Sequence, residues 1–253
     1  MELNPLSKKT DERKRVKFFL KRFMMLLAVI VAAIMTFNAC IEDDNEGDEN
    51  GNNGNGNSGG GVSGKRLKTL LIEYEGNPLR GEYSYNSDGS LKRVDWYDKA
   101  SKLVSYDVIT NNPDGTIAKL VATSLVDNSN AEMTYFYDFN KKPVKAEGTA
   151  SGVPYTYTWT FQNGRLIRHV QTYDNFVITY EPDYDSQGRR TTTIETHNVL
   201  GKCQYTRTYN SDGTLKRVDV TNYSNFPLTK GHIEIFTWEN GKTTYNDDDH
   251  RPY

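Results

Sequence analysis

From residue 65 onward, apolar and polar positions alternate with a period of two. Tyr155, Tyr157, Trp159 and Phe161 fall on one side of a strand, and Thr156, Thr158 and Thr160 on the other. Met133, Tyr135 and Tyr137 repeat the pattern, as do Val104, Tyr106 and Val108. Strict alternation with one polar face predicts antiparallel strands that bury one side. The apolar, aromatic face is expected to point inward, because the other face carries Thr, Lys, Glu and Arg.

The strands are punctuated regularly. Tyr85-Asn-Ser-Asp-Gly-Ser-Leu-Lys-Arg-Val-Asp95 recurs as Tyr209-Asn-Ser-Asp-Gly-Thr-Leu-Lys-Arg-Val-Asp219, with ten of eleven positions identical at a separation of 124 residues. Looser copies lie at Asn112–Ile117, Gln162–Leu166, Asp185–Arg189 and Glu239–Lys242. Turn glycines stand at 89, 115, 164, 188, 213 and 241, and Lys141 takes a glycine's place between 115 and 164. The step is about 25 residues, the signature of a repeated supersecondary unit. Asp-Gly and Asn-Gly supply the positive φ of tight hairpin turns, so each step reads as one β-hairpin. A second turn divides each step: Asp98–Ser101, Asp127–Asn130, Ser151-Gly152, Asp174-Asn175, Asn198–Gly201 and Asn222–Asn225. About fourteen strands in such a meander must close or curl to protect their edges. The expected fold is therefore all-β, an antiparallel up-and-down meander of about 14 strands, closed or curled into a soluble barrel rather than one facing lipid, which needs an outward apolar band.

The region before residue 65 has a different character. Eight bases from Lys8 to Arg22 precede an apolar run, residues 24–37, and then Asn38-Ala39-Cys40. The run suits a signal peptide, with its apolar stretch of about 7–15 residues, and falls short of the ~20 residues of a membrane helix. No Ala-x-Ala-like secretory site is present. Residues 42–49 hold six carboxylates, and residues 51–61 are Gly, Asn and Ser. That composition cannot bury enough apolar area to offset its ordering entropy and reads as a flexible tether. The expected organisation is a lipoprotein signal peptide over 1–39, an acidic then Gly/Asn-rich tether over 40–64, and a hairpin-repeat domain over 65–253.

Phe37-Asn38-Ala39-Cys40 resembles a lipobox, which implies lipid attachment at Cys40. The acidic run after it resembles the export signal of Bacteroidetes surface lipoproteins, which implies display on the outer face of the outer membrane. Asn163–Asp174 and Tyr184-Asp-Ser-Gln-Gly-Arg189 look like YD (Rhs-type) repeats, in which a Tyr-Asp pair, a glycine turn and an Arg recur. The whole layout resembles a Bacteroidetes lipoprotein domain of unknown function with a porin-like fold. The resemblance covers residues 65–253 and implies a β-barrel or β-shell at the cell surface. It implies no reaction.

The remaining chemistry is sparse. The formal net charge is −2, with no basic stripe, so nucleic acid is not an expected partner. His169, His197, His232 and His250 lack metal-ligand spacing. Asn86–Gly89 and Asn210–Gly213 resemble the middle of a calcium loop, but Asp95 and Asp219 stand where a bidentate Glu is needed. The run Asp247–His250 is a weak cation candidate. With Cys40 lipidated, Cys203 is a lone thiol, and only the fold can bring His197 to it. Glu181, Asp183, Asp185 and Glu195 are candidates for a carboxylate pair. No catalytic residue is assigned and no cofactor or metal is expected. Trp96, Trp159 and Trp238, with the 17 tyrosines, supply ring faces that either pack a core or stack on sugars. Three readings stand: a binding module for an extracellular ligand such as a glycan, a β-shell docking on an envelope partner protein, and an enzyme with a cleft where acids, or His197 and Cys203, converge.

Overall fold

The computed structural model describes residues 65–74, 76–225 and 231–240. The leader, Cys40, the tether, Gly241 and the Asp247–His250 run lie outside the described residues. The strands are β1 (Lys65–Tyr74), β2 (Asn77–Tyr85), β3 (Leu91–Tyr97), β4 (Leu103–Asn111), β5 (Ile117–Ser124), β6 (Asn130–Tyr137) and β7 (Pro143–Ala150). They continue as β8 (Val153–Gln162), β9 (Arg165–Tyr173), β10 (Phe176–Tyr184), β11 (Arg190–His197), β12 (Gly201–Tyr209), β13 (Leu215–Val220) and β14 (Ile233–Asn240). Each pairs antiparallel with the next, and β1 pairs with β14, so the fourteen strands close into a barrel with no free edge.

The turns form as their residues dictate. Ser151-Gly152 and Asn163-Gly164 have positive φ at both positions, the two-residue hairpin geometry matched to strand twist. In the five-residue turns, Asp88, Asp114 and Asp212 each accept bonds from the backbone N–H and hydroxyl of Ser90, Thr116 and Thr214. Asp138 and Asp185 instead accept two backbone N–H bonds each. Lys141 has φ 61°, in the place that Gly89, Gly115, Gly188 and Gly213 hold in the sister turns. A side chain there costs roughly 1–2 kcal/mol, partly offset because glycine loosens the unfolded chain. Lys141→Gly is expected to raise the unfolding free energy by about 0.5–1 kcal/mol, read as a higher urea midpoint at unchanged m-value; an equal or lower midpoint contradicts it.

The turns at 86–90, 112–116, 138–142, 185–189 and 210–214 share one end of the barrel with the Asn163-Gly164 turn. Lys65 lies there too, paired with Asp212. Most even-numbered strands carry a bulge just before this end, at Ser84/Tyr85, Thr110/Asn111, Phe136/Tyr137, Thr160/Phe161, Pro182/Tyr184 and Thr208/Tyr209. A bulge re-aims the next side chain. Tyr85, Tyr137, Tyr184 and Tyr209 thereby donate to the carbonyls of Leu67, Ile117, Leu166 and Arg190 on the preceding strand, at 2.7–2.9 Å. Asn111 Nδ2 and Trp238 Nε1 do the same to Leu91 and Leu215. Phe161 has no donor, and there Lys142 Nζ lies over its ring and donates to Gly164 O. The Tyr-Asp pair thus has two local tasks: the tyrosine latches the neighbouring strand and the aspartate closes the turn. Arginines cover several of these rings, with Arg66, Arg165 and Arg189 over Tyr85, Tyr184 and Tyr209.

Met133, Tyr135, Tyr155, Tyr157 and Trp159 face the interior as the alternation predicts, and Tyr137 and Phe161 are half-buried at the tyrosine end. β4 overturns the expectation. Ser105, Asp107 and Ile109 point inward, while Tyr106 and Val108 turn outward and Val104 is half-buried at the edge of the core. Specific contacts fix this register against the apolar pattern: Trp96 Nε1 donates to Asp107 Oδ2 at 2.8 Å inside, and Arg93 covers Tyr106 outside, 4.2 Å from its centroid. The outer wall carries Arg80–Glu82, Arg93–Asp95, Lys119–Glu132, Lys145–Glu147 and Arg217–Asp219 ion pairs along mid-strand positions, where a lipid-facing barrel places an apolar band.

Candidate functional site inside the barrel

Inward-facing side chains define two polar clusters joined by rings. The first lies on β3 to β9. Asp107 is 0% exposed, yet only Oδ2 is hydrogen-bonded, to Trp96; Oδ1 has no partner. Ser105 Oγ on the same face and Trp159 Nε1 are also buried and unbonded. Burial pushes the Asp107 carboxyl well above the usual carboxylate range; the Trp96 bond opposes this, and the nearby Asp95 charge adds to it. The adjoining interior positions are small: Ala122, Ala131, Ala146, Gly148 and Ala150. Two of the interior glycines are covered by rings from the neighbouring strand. Gly81 lies under Trp96, and Gly148 sits between Met133 and Tyr155, whose hydroxyl crosses to Glu132 O at 2.9 Å.

A run of ring contacts leads from this cluster around the wall. Tyr135 meets Trp159 at 6.2 Å, Trp159 meets His169 at 4.8 Å, and His169 meets Tyr180 at 5.4 Å. Tyr180 meets Tyr205, and Tyr205 meets His232, each at 6.4 Å. His169 Nε2 lies 3.0 Å from Gln171 Nε2. Burial, joined by the Arg190 charge, lowers its pKa to about 3.

The second cluster lies on β11 to β14. Glu195 accepts hydrogen bonds from Tyr205 Oη and Tyr223 Oη. Cys203 faces it across the β11–β12 register. Burial raises the Glu195 carboxyl, opposed by the two tyrosine bonds. Burial, and then the neighbouring Glu195 charge, push the Cys203 thiol up. His232 pairs with Glu234 at 3.1 Å, and Arg207 donates to Thr193 Oγ1 at 2.8 Å.

The sequence-derived candidates are placed as follows. Cys203 meets Glu195 and not His197, whose Nδ1 accepts the Val199 and Leu200 N–H groups and so caps the β11–β12 turn. Burial lowers the His197 pKa to about 4. Of the four acids, only Glu195 is inside; Glu181 and Asp183 are on the outer wall and Asp185 closes its own turn. Trp96 and Trp159 are buried, and Trp238 is half-buried as a strand latch, so none offers an exposed face. The aspartates of the two calcium-like turns are engaged with Ser90 and Thr214. Among the described residues no three His, Cys, Asp or Glu side chains converge as metal ligands.

A raised, buried thiol is chemically quiet. Native Cys203 is expected to resist iodoacetamide at pH 8 until denaturant is added. Full alkylation of the folded chain within minutes contradicts that.

Asp107 was not legible beforehand, because alternation put its neighbours Tyr106 and Val108 inside. Glu195 was named only as one acid among four, and Tyr205 and Tyr223 carried no signal.

The geometry can be set beside known proteins. No protein-family profile matches the chain, and no curated protein matches it. Solved structures do. A porin-like protein from Bacteroides uniformis aligns with 68% of this chain and 98% of its own, at 12% identity and a TM-score of 0.44. A porin-like protein from Bacteroides vulgatus aligns over the same shares, at 11% identity and a TM-score of 0.35. The Photorhabdus luminescens Tc holotoxin pore aligns with 56% of this chain at 10% identity and a TM-score of 0.28, and the chain spans about a tenth (11%) of its length. These are likenesses of all-β architecture.

Proposed function

We propose that this chain is a non-catalytic binding module, carried by a lipid on Cys40 at the outer face of a bacterial outer membrane, that takes a small polyhydroxylated ligand such as a sugar unit beside Asp107. The observation that carries the ligand reading is the orphaned polar set inside the barrel: Asp107 Oδ1, Ser105 Oγ and Trp159 Nε1. A buried polar atom without a partner costs roughly 1–3 kcal/mol, so a native chain keeps one where something else completes it. Acceptors at Asp107 and Ser105, a donor at Trp159 and nearby ring faces match a sugar's hydroxyls and C–H faces. The tryptophans are not displayed outside, so the ligand is one enclosed by the barrel and not a long polysaccharide laid over it.

The test is a thermal-shift and calorimetric panel of neutral mono- and disaccharides. A ligand at a hundred times its Kd stabilises by ~2.7 kcal/mol. Wild-type chain is expected to respond to at least one sugar, and Asp107→Asn to lose most of that response. No response across the panel, or one indifferent to Asp107, removes this reading. The burial of the interior rings favours a second reading, a β-shell whose outer wall docks on an envelope partner. Recovery of one stoichiometric partner from intact cells supports it, and recovery of none counts against it. Acyl labelling at Cys40, lost in Cys40→Ala, tests the anchor separately.

A further inference from the structure

The five-residue turns at the tyrosine end are copies of one design, and one of them departs from it. Their second position holds Ser87, Pro113, Ser186 and Ser211, but Phe139 in the β6–β7 turn. Their fourth position holds glycine in those four turns, but Lys141 in this one, at φ 61°. Phe139 is 93% exposed, and the Lys141 side chain is 58% exposed, 3.5 Å from Asp114. The exposed Lys141–Asp114 pair adds little, and the sister turns close with Ser or Pro and Gly at lower backbone cost. The departure is therefore about what these side chains meet outside.

The surroundings say what that is. On the outer wall at this end lie Phe136 and Val144, 42% and 40% exposed on the strands that flank the turn, and Ile167, 41% exposed, two strands further on β9. Lys145, Arg165 and Arg168 accompany Lys141 among them; Asp138 is committed to closing the turn, and Glu147 pairs with Lys145. An exposed aromatic tip with apolar neighbours and a basic fringe complements an anionic lipid surface, where ring and stems enter the interface and cations meet phosphate. This end is also where the chain from residues 1–64 arrives, since Lys65 and Asp212 meet there. If the residues after Cys40 form the tether that their composition predicts, they would span roughly 25–30 Å, so an anchor at Cys40 would keep this end beside the bilayer.

The geometry points to the β6–β7 turn, through Phe139 and Lys141, as a second contact with an anionic lipid surface. The position of the bilayer rests on the anchor reading above; the chemistry of the turn does not. The experiment is hydrogen–deuterium exchange on the full chain with phosphatidylglycerol or phosphatidylcholine vesicles. Its variant is Phe139→Ser with Lys141→Gly, which restores the sister-turn sequence and is expected to fold. Phosphatidylglycerol vesicles are expected to slow exchange across residues 136–147 several-fold in the wild type, with most of that protection lost in the double variant and in phosphatidylcholine. No protection, equal protection by both lipids, or full protection in the variant overturns the inference. The readout is local, so it is separate from the anchor: acylated Cys40 without protection at 136–147 sinks only the turn, and protection without acylation sinks only the anchor.

Discussion

Replacing His169 with phenylalanine is expected to make the barrel more acid-resistant than the natural chain, by roughly 3 kcal/mol at pH 3 once the cost of the substitution itself is subtracted. His169 is fully buried between Trp159, Tyr157 and Tyr180, with Gln171 against Nε2 and the Arg190 charge nearby. It stays neutral in the folded chain down to about pH 3, whereas its ordinary pKa is 6.5. Between those values the unfolded chain binds the proton and the folded chain does not. The stability held by neutral His169 is therefore complete above about pH 6.5 and lost as pH falls, at ~1.4 kcal/mol per unit. His197, lowered to about 4, adds a loss of the same sign. Asp107 and Glu195, with raised pKa values, act oppositely: their contribution is present at low pH and lost as pH rises above the ordinary carboxylate range. The absolute profile mixes these signs, so the comparison is wild type against His169→Phe. Phenylalanine keeps the ring packing but gives up the contact with Gln171, costing about 1 kcal/mol at neutral pH. Urea midpoints from pH 3 to 7 should therefore cross, with the variant lower at pH 7 and higher at pH 3. Parallel curves would show that His169 does not control the acid limb.

The fold was legible where local rules act alone. Turn glycines at a constant step mark hairpins whatever the tertiary context, so strand number and up-and-down order followed from sequence, and Lys141 could be placed in a glycine's position before its φ was known. Alternation tells two faces apart but does not say which is inside. On β8 the aromatic face was inside; on β4 it was turned outward, because a cross-strand bond from Trp96 to Asp107 and the Arg93–Tyr106 contact outweighed the exposure of Val108. The candidate site was hidden for the same reason. Its members come from several strands, β4 and β8 for Asp107 and Trp159, and β11, β12 and the segment after β13 for Glu195, Tyr205 and Tyr223, and the curl of the sheet that brings them together leaves no local signal. The tyrosine latches were visible as a Tyr-Asp motif, but their bonds to carbonyls about 20 residues back depend on bulges that alternation does not reveal.

Gly148→Ala is expected to cost about 3–5 kcal/mol, and to lower the yield of folded protein sharply. An ideal Cβ at Gly148 would stand 1.7 Å from Glu132 O and 3.0 Å from Met133 Cα. Both are backbone atoms of β6, so no rotamer change makes room, and the strands must separate where Met133 pairs with Gly148. Glu132 O is also the acceptor for Tyr155 Oη. Relieving the clash therefore breaks that bond and lifts the ring that covers the glycine, leaving a buried hydroxyl unsatisfied. Overpacking alone costs 1–3 kcal/mol, and a lost buried hydrogen bond adds to it. Two controls separate this mechanism from a general intolerance of glycine replacement. At Gly152 a Cβ meets nothing within 4 Å, so Gly152→Ala should cost only the roughly 1–2 kcal/mol of its positive φ of 80°. At Gly81 the clash is with the Trp96 ring, at 2.7 Å. A side chain yields more readily than backbone, so Gly81→Ala should cost less than Gly148→Ala, while pulling Trp96 from Asp107 and orphaning both carboxylate oxygens. Urea midpoints should rank Gly152→Ala above Gly81→Ala above Gly148→Ala. A Gly148→Ala chain as stable as Gly152→Ala would mean that β6 and β7 do not approach as described.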